Sequence, residues 1–482
     1  MGRVLEIWRG WSVHRRVALG AGVVLLGAAV VLAGFLVLKR PGDVVNTEAT
    51  FRTEQKPTKK KEKEATVNWP LYGLNRARTR SFPAKGLGPP FRTLWHFDAK
   101  QLLEFSPIVV RSTVYVMSND AKVFAINSET GNVKWKRRIG RLSASAPAFA
   151  HDRLYVTTLE PGQAIALNAK TGKVVWRRQL PGRSESSPVV QGGRVYFGAE
   201  SGEVFALDER NGKIVWQTPT GGNVKAGPAL RDGTLFVGNY AGQMYALRAK
   251  DGAVRWQASD LGAGFGRSGR FYSTPAVAFG RVYAGNADGR VYSFEERTGD
   301  LAWSQSLSGY VYAAPAVTDA PGTPPSVYIG SNGGVAYALD ARDGEERWSV
   351  TVGGEISGAG SVIGDIFYVS DVDLDKTVGF DIGTGKPVYN IDRGEYNPMV
   401  SDGRRLYLTG YASITAFEPK RKKPKGKKAK DTKAKDARAN GEKRSRDKRP
   451  DRKRARASAR QRKGNKKDGG RNRGKQDGRK RG

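Results

Sequence analysis

Short runs of β-branched and aromatic residues, separated by Gly, Asp and Asn, recur along most of this chain. A clear group of four runs lies at 187–216 and ends in Trp216. Four short apolar runs with turn residues between them are typical of a four-stranded antiparallel meander. In the last turn, Gly212 occupies a position where a hairpin needs a positive φ. The pattern predicts one four-stranded sheet for each group.

The groups repeat at a nearly fixed interval. The phrase Gly-x-x-x-Trp occurs six times, and a seventh copy ends in Tyr389 instead of Trp. Trp95 belongs to the same series without the glycine, and successive aromatic positions lie 40, 41, 40, 40, 47, 45 and 41 residues apart. A four-stranded unit repeated at this period is typical of the blades of a β-propeller.

The number of blades follows from counting first and fourth strands, which gives eight of each. The fourth strand that contains Trp95 precedes every first strand, and the last unit, which ends near Phe417, lacks a fourth strand of its own. Pairing these two parts closes the ring and leaves no sheet edge open at the junction. We therefore predict an all-β fold: an eight-bladed propeller of four-stranded antiparallel blades, closed by an N-terminal strand.

The repeated tryptophans are predicted to pack between neighbouring blades. A small residue on the preceding strand, Ala, Ser or Gly, is placed to face each of them. A small side chain leaves room for a large ring to dock. We interpret these tryptophans as structural docking residues and not as stacking platforms for a cofactor: Trp95, Trp135, Trp176, Trp216, Trp256, Trp303 and Trp348.

A membrane segment precedes the repeats. Residues 17–38 are uncharged and mostly apolar, which is long enough for a helix to cross about 30 Å of hydrocarbon. Four arginines lie before this segment and place the N-terminus in the cytoplasm. A cleaved signal peptide is the alternative, but the apolar run is longer than usual and ends in Lys39 and Arg40, not at a small-residue cleavage site.

Composition divides the rest of the chain. The formal net charge is +36, and residues 420–482 contain 31 Lys or Arg against 7 Asp or Glu, without any aromatic residue. Such segments do not bury enough apolar surface to fold. The sequence therefore predicts a cytoplasmic basic segment at 1–16, a transmembrane helix at 17–38, a disordered stalk at 39–68, the propeller at 69–419 and a disordered Lys/Arg-rich tail at 420–482.

The tail and the anchor together suggest partners. A flexible polycation binds polyanions by counterion release. If the propeller lies outside a single-pass cell-membrane anchor, the tail meets anionic envelope polymers or lipids; nucleic acid is a partner only if the tail can reach it. A tail that only solubilises the chain is the alternative.

One ring of polar positions is a candidate binding site. The residues three before each first-strand proline are predicted to lie at one level around the mouth of the central channel. They combine carboxylates, an ammonium group and phenols that could bind a small polar ligand or a peptide, although propeller mouths are commonly polar without a ligand. The predicted rim site consists of Glu104, Glu185, Lys225, Tyr272, Tyr312 and Glu395.

Other motifs give weaker indications. Residues 371–375 alternate aspartates like the start of a calcium loop, but Lys376 and Ile382 stand where glycine and glutamate are needed. Residues 264–269 match Gly-x-Gly-x-x-Gly, but a strand follows where phosphate binding needs a helix. The sequence has no cysteine and three histidines, which excludes thiolate chemistry and disfavours a histidine metal site. We predict no catalytic, metal-binding or cofactor-binding residue.

The repeat also resembles a known family. Residues 166–176, Ala-Leu-Asn-Ala-Lys-Thr-Gly-Lys-Val-Val-Trp, resemble the repeat of the pyrroloquinoline quinone (PQQ) enzymes, which also occurs in the BamB-type scaffold of outer-membrane protein assembly. The opening at 68–73, Asn-Trp-Pro-Leu-Tyr-Gly, followed by Arg78-Thr79-Arg80, is similar to the lead-in of many PQQ-like propellers. The resemblance covers about 69–418 and implies an eight-bladed ring.

The resemblance implies two different activities. The quinone-dependent dehydrogenases of the family hold their cofactor against a vicinal cysteine pair and are longer than this chain, which has no cysteine. The BamB-type protein is tethered to a membrane through a lipid on its N-terminal cysteine, a task that the helix at 17–38 could perform here. We therefore expect a membrane-anchored, non-catalytic, extracytoplasmic binding scaffold without a cofactor. The alternatives are a PQQ-dependent oxidoreductase with its cofactor in the central funnel, and a cytoplasm-facing propeller whose tail binds nucleic acid.

Overall fold

The computed structural model describes most of the repeat region and parts of the segments before it. The described residues are 18, 21–31, 42–53, 69–84, 86–262, 269–396 and 399–420. Residues 21–31 are helical. Within these ranges, no helix combines the length and the apolar character that a bilayer crossing requires. The membrane helix at 17–38 falls partly, and the basic tail almost wholly, outside the described residues, so both stay predictions.

Eight sheets form the blades of the propeller, as the repeat predicted. Three strands precede the first blade: β1 (Val44–Val45), β2 (Ser81–Phe82) and β3 (Phe91–Asp98).

Blades 1 to 4 each consist of four consecutive antiparallel strands, numbered from the centre of the ring outwards. Blade 1 contains β4 (Ile108–Val110), β5 (Thr113–Met117), β6 (Lys122–Asn127) and β7 (Val133–Arg138). Blade 2 contains β8 (Ala148–Ala150), β9 (Arg153–Thr158), β10 (Gln163–Asn168) and β11 (Val174–Gln179). Blade 3 contains β12 (Val189–Gln191), β13 (Arg194–Gly198), β14 (Glu203–Asp208) and β15 (Ile214–Pro219). Blade 4 contains β16 (Ala229–Arg231), β17 (Thr234–Gly238), β18 (Gln243–Arg248) and β19 (Val254–Ser259).

Blades 5 to 7 repeat this order, and blade 8 has three strands from the C-terminal side. Blade 5 contains β20 (Ala276–Ala278), β21 (Arg281–Gly285), β22 (Arg290–Glu295) and β23 (Leu301–Ser306). Blade 6 contains β24 (Ala316–Thr318), β25 (Ser326–Gly330), β26 (Val335–Asp340) and β27 (Glu346–Thr351). Blade 7 contains β28 (Ser361–Ile363), β29 (Ile366–Asp371), β30 (Lys376–Asp381) and β31 (Pro387–Ile391). Blade 8 contains β32 (Met399–Ser401), β33 (Leu406–Thr409) and β34 (Ser413–Pro419).

The N-terminal strand completes blade 8. Strand β3 pairs antiparallel with β34, and Trp95 lies opposite Ala416 in the register. The predicted closure of an eight-bladed ring by an N-terminal strand is therefore confirmed. Because the first and last parts of the propeller share one sheet, neither leaves an unpaired edge at the junction.

The interface between neighbouring blades explains the spacing of the repeated phrase. Within blade 3, Trp216 lies opposite Ala206. Its indole nitrogen donates a hydrogen bond to the carbonyl of Ala249 in the next blade, at 3.1 Å, and its ring packs on Gly252 of that blade. The glycine and the tryptophan of one phrase thus serve two different interfaces. All seven docking tryptophans donate to a carbonyl of the following blade: Ser128, Ala169, Glu209, Ala249, Glu296, Ala341 and Ile382.

A segment before β3 crosses the central channel, and we call residues 69–82 the channel belt. Backbone carbonyls and amides of the belt bond to the innermost strands of one blade after another. Hydrogen bonds join Trp69 to Val109, Pro70 to Phe149, Arg76 to Leu230, Ala77 to Val277, Thr79 to Val317 and Arg80 to Val362. The belt therefore blocks the channel and links blades 1, 2, 4, 5, 6 and 7 through its backbone.

Arg78 links the belt to blade 3, which the belt backbone does not contact, and adds a second link to blade 4. Its fully buried guanidinium donates to the carbonyls of Ser187 at 2.9 Å and Pro188 at 3.1 Å in blade 3, and of Pro228 at 3.0 Å in blade 4. It also donates to the carbonyl of Tyr72 within the belt. Burial, together with the neighbouring Arg80, lowers the pKa of Arg78 to about 9. The side chain is still a cation at neutral pH and gives these buried carbonyl oxygens charged hydrogen-bond donors.

The stalk prediction requires a correction. Residues 42–53 do not extend freely but lie along the outer edge of blade 5, where β1 pairs antiparallel with β23. The ring of Phe51 packs on Phe279 with 5.5 Å between the centroids. The prediction of disorder from polar composition was wrong for this part. The segment is ordered by pairing with an existing sheet edge and by one aromatic contact, and it needs no core of its own. The remainder of the stalk, 39–41 and 54–68, lies outside the described residues.

Replacing Gly212 by alanine should destabilise the protein more than replacing Gly233. Both have positive φ values, +70° and +73°, so alanine costs about 1–2 kcal/mol of backbone strain at either. A Cβ at Gly212 would also lie 2.6 Å from the Trp176 ring, whereas no atom lies within 4 Å at Gly233. We expect about 1–3 kcal/mol of additional destabilisation at Gly212. Urea unfolding measures both variants, and equal losses would contradict the docking role of the glycine.

Replacing Arg78 by methionine should lower the free energy of unfolding by about 3–5 kcal/mol, because several buried carbonyls lose a charged donor. Arg76→Met is the matched control, since this exposed side chain makes one hydrogen bond, to the carbonyl of Val190. We expect that control to lose about 1 kcal/mol or less. Urea unfolding with tryptophan fluorescence measures both, and a similar loss in the two variants would show that the belt does not hold the blades through Arg78.

Candidate functional site

A cavity of about 430 Å³ opens at one face of the ring, and we call it the funnel. Its walls come from the connections between successive blades and from turns between second and third strands, and we call that side the funnel face. The turns between first and second strands and between third and fourth strands form the opposite face. Tyr72 of the channel belt lines the funnel from inside the channel. The belt therefore makes the funnel a blind cavity.

Five of the six predicted rim residues line the funnel together: Glu104, Glu185, Lys225, Tyr272 and Tyr312. The sixth, Glu395, is not among the lining residues. It is buried, and its carboxyl group lies beside Asp375. The next residue, Tyr396, lines the funnel in its place. The loop before blade 8 is thus displaced by one position relative to the other repeats.

Other lining residues could not be found from the position before the first strand. Tyr72 comes from the belt, Tyr240 from a turn between second and third strands, and Phe105 and Arg270 from neighbouring positions in the inter-blade connections. The available signal was the cluster of tyrosines in blades 4 to 6. Tyr240 lies in the turn between the second and third strands of blade 4, and an alignment of these turns across the repeats places it on the same face.

An ion-paired lysine occupies one wall of the funnel. The Nζ atom of Lys225 lies 2.6 Å from Oε1 of Glu185 and 3.3 Å from Oε1 of Glu200. Burial lowers the pKa of Lys225, but the two carboxylates raise it more, so the net pKa is above its ordinary value. Burial also raises the pKa of Glu185, against the opposing effect of Lys225. The ammonium group is therefore retained and shared between two carboxyl groups.

Glu104 has a pKa near neutrality. Burial, followed by repulsion from Glu185, raises its pKa to about 7, although Lys225 acts in the opposite direction. Near neutral pH, this carboxyl group therefore exists both as a hydrogen-bond donor and as an anionic acceptor. It can contact either a basic or a neutral polar group on a ligand.

Tyrosines form an aromatic wall from blade 4 to blade 6. The ring centroids of Tyr240 and Tyr272 are 6.1 Å apart, and those of Tyr272 and Tyr312 are 5.7 Å apart, both in edge-on geometry. Burial raises the pKa of Tyr272 well above its ordinary value, so its phenol stays neutral. Tyr310 extends the wall towards solvent, with 55% of its surface exposed. Such a wall offers stacking surface and hydrogen-bonding hydroxyls to one ligand.

The predicted docking tryptophans take no part in the funnel. None of them lines the cavity, and each packs between blades instead. Trp303 is fully buried, and Trp95, Trp176, Trp216 and Trp256 are at most 9% exposed. Trp135 and Trp348 are intermediate.

The alternating aspartates at 371–375 hold backbone amides. Oδ1 of Asp371 accepts hydrogen bonds from the amides of Asp373 at 2.9 Å and Leu374 at 3.1 Å. Oδ2 of Asp373 accepts from the amide of Glu355 at 2.8 Å. These oxygens stabilise a turn on the funnel face.

The described histidines do not form a metal site. His96 bonds to Thr415 at 3.0 Å, and His151 bonds to Glu209 at 2.6 Å. No cluster of three or more His, Asp or Glu side chains that could hold a metal ion occurs among the described residues. Most of the glycine-rich motif at 264–269 lies outside them, as does His14.

The sequence matches one family model over most of its length. The model for the outer membrane protein assembly factor BamB matches residues 92–224 and 200–423. A comparison with curated proteins finds no match.

Solved structures of two functional kinds are similar to this chain. BamB from Moraxella catarrhalis is 21% identical with a TM-score of 0.58, and the match covers 68% of this chain and 100% of that protein. A europium-containing methanol dehydrogenase is 16% identical with a TM-score of 0.63, covering 74% of this chain and 98% of the enzyme. The quinohemoprotein alcohol dehydrogenase from Comamonas testosteroni is 16% identical with a TM-score of 0.62, covering 75% and 82% respectively. At these identities the similarity shows the fold.

The Glu104→Gln variant should be less sensitive to pH than the wild-type protein. Folding raises the pKa of Glu104 from 4.5 to about 7, so the folded chain holds this proton more tightly and its stability falls as pH rises through that interval. Glutamine removes this contribution. Urea midpoints measured below and above the interval test it.

Glu395→Gln is the comparison variant, because burial followed by its hydrogen bond to Asp375 also raises the pKa of Glu395 to about 7. It should remove a separate share of the same pH dependence. If the urea midpoint of Glu104→Gln changes with pH as much as that of the wild-type protein, the buried environment assigned to the Glu104 carboxyl group is wrong.

Proposed function

Because this chain belongs to the family of the outer membrane protein assembly factor BamB, we propose that it is a non-catalytic binding scaffold whose funnel holds part of a protein partner. The observation that carries this proposal is the blind, tyrosine-walled funnel with an internally paired lysine. A rigid cavity of this kind provides stacking surface and directed hydrogen bonds. It supports recognition of a ligand, as is usual for concave sites that are largely pre-formed.

A quinone cofactor is the principal alternative, because two of the similar structures are dehydrogenases. The lining residues do not fit PQQ, which carries three carboxylates. Glu104 and Glu185 place carboxyl groups in the same cavity, and Lys225 is already paired with two carboxylates. Among the described lining residues, this leaves Arg270 as the one further cation for three ligand carboxylates. Among the described residues, no tryptophan lines the funnel as a stacking partner. We therefore derive no redox step for this chain.

A polypeptide suits the funnel better than a small anion. The tyrosine wall can stack on planar or apolar side chains, and Glu104 can bond to a basic or polar one. Aromatic residues with a few placed polar groups are enriched where proteins bind partners. The matched family is that of an outer membrane protein assembly factor, which is consistent with protein partners.

We further propose that residues 17–38 anchor the chain in the cell membrane, with the N-terminus in the cytoplasm and the propeller outside. The arginines before this segment support that orientation. The tail at 420–482 then meets anionic envelope polymers or lipids, which it would bind through its excess of Lys and Arg.

Photo-cross-linking in host membranes tests the scaffold function. A photoreactive phenylalanine analogue replaces Tyr312 in the funnel, and Lys250 on the opposite face in the control. We expect discrete protein adducts from the funnel position alone. Lys225→Met should weaken them because it removes the funnel ammonium group, whereas Lys173→Met, an exposed lysine on the opposite face, should not.

The same protein preparation tests the redox alternative. The whole chain is incubated with PQQ and either Ca²⁺ or a lanthanide, and dye reduction is followed with primary alcohols. We expect no turnover above that of the free quinone. Cofactor-dependent turnover that Glu185→Gln alters would overturn the scaffold proposal, as would equal cross-linking from the two faces.

A further inference from the structure

The segment that follows the predicted anchor is fixed to the propeller, and we call residues 42–53 the clamp. At its start, the Asp43 carboxylate accepts hydrogen bonds from the Ser306 amide at 2.9 Å and hydroxyl at 2.8 Å. The same oxygen lies 2.9 Å from the guanidinium of Arg290. Ser306 ends β23 and Arg290 begins β22, so both stand where blade 5 meets the funnel face. The clamp therefore begins at the funnel face.

The clamp then runs along the blade towards the opposite face. Val44 and Val45 pair with Ser304 and Trp303 in β23, and the Asn46 amide donates to the Ala302 carbonyl at 2.7 Å. These contacts move steadily away from the funnel end of the strand.

The far end of the clamp reaches the opposite face. The amide of Arg52 donates to the carbonyl of Phe279 at 3.0 Å, in the turn between the first two strands of blade 5. The side chain of Arg281 donates to the carbonyl of Ala49 at 2.8 Å, and Arg342 lies over the ring of Phe51 at 5.2 Å. The direction of the clamp is thus set at both ends.

The length of chain before the clamp limits the distance to the membrane. Only five residue steps separate Leu38, the end of the predicted anchor, from Asp43, and five steps span at most about 18 Å. The six residues of β23 put the opposite face roughly 20 Å further away. A tether this short, fixed at the funnel end, does not allow the opposite face to be the nearer one.

We infer that the clamp holds the funnel face towards the membrane, so that the funnel takes its partner from the layer next to the bilayer. This inference rests on the proposed membrane anchor. The partner chemistry it implies is a membrane-proximal polypeptide segment of a membrane protein. A free polypeptide arriving from the side away from the membrane would meet the opposite face first.

Because the chain has no cysteine, single cysteines can report the orientation of the full-length protein in vesicles. Tyr310→Cys and Tyr411→Cys place a fluorophore on the funnel face, at side chains that are 55% and 60% exposed. Lys250→Cys and Glu129→Cys place it at exposed positions on the opposite face. Vesicles of neutral phospholipid carry a nitroxide quencher on the headgroup. We expect loss of fluorescence from the two funnel-face labels and none from the other two.

The clamp itself is tested by Asp43→Ala/Asn46→Pro, which removes the carboxylate contacts and the amide donor to Ala302. We expect this variant to lose the difference between the faces, while the exposed Glu48→Ala control in the same segment keeps it. A double variant that retains the full difference would overturn the role of the clamp.

The outcomes separate this inference from its premise. Flotation of the vesicles through a density gradient first shows whether the full-length chain binds them. Failure to float would overturn the anchor and the inference together. Flotation with equal quenching on both faces, or stronger quenching on the opposite face, would overturn only the inferred orientation.

Discussion

The contact between a tryptophan of one blade and a glycine of the next is the interaction on which the propeller depends. Sheets that merely lie side by side could slide or tilt, because apolar packing alone has little directionality. Here the ring of Trp216 packs on Gly252 and fixes the distance between blades 3 and 4. Its hydrogen bond to the carbonyl of Ala249 prevents one blade from sliding along the other. Repetition of this contact fixes the angle between successive blades, and the loops that carry the funnel inherit that rigidity.

The channel belt adds a second constraint, from the centre. The docking contacts act between neighbouring blades near the third and fourth strands, whereas the belt bonds to the innermost strands of blades across the ring. Arg78 gathers carbonyls from blades 3 and 4 at one buried cation. The floor of the funnel at Tyr72 is therefore held by the same segment that holds the ring together, which couples the shape of the site to the integrity of the fold.

The features that could be predicted from sequence are local and repeated. Most blades carry similar strand lengths, a turn glycine and a docking tryptophan, which Tyr389 replaces in blade 7, so the number of blades and the level of most rim residues followed from the period. Glu395 departed from that pattern because its carboxyl group is buried beside Asp375. The ordered clamp, the belt and Tyr240 depend on contacts that no repeat encodes, such as the ion pair between Asp43 and Arg290, which are 247 positions apart in the chain. The partner and the location of the protein likewise depend on more than the fold, which binding proteins and dehydrogenases share.

The pairing of β3 with β34 has a consequence for biogenesis. Arg92 and Glu418, which meet in this sheet, are separated by 326 positions in the chain. As synthesis proceeds from the N-terminus, the early strand must wait with its edge unsatisfied until nearly all later blades have emerged. Long-range strand pairing of this kind is slow and leaves an aggregation-prone intermediate. A nascent chain of this type therefore stays vulnerable to aggregation and to chaperone capture until the ribosome has passed the final strand, and truncation shortly before it would leave an arc instead of a ring.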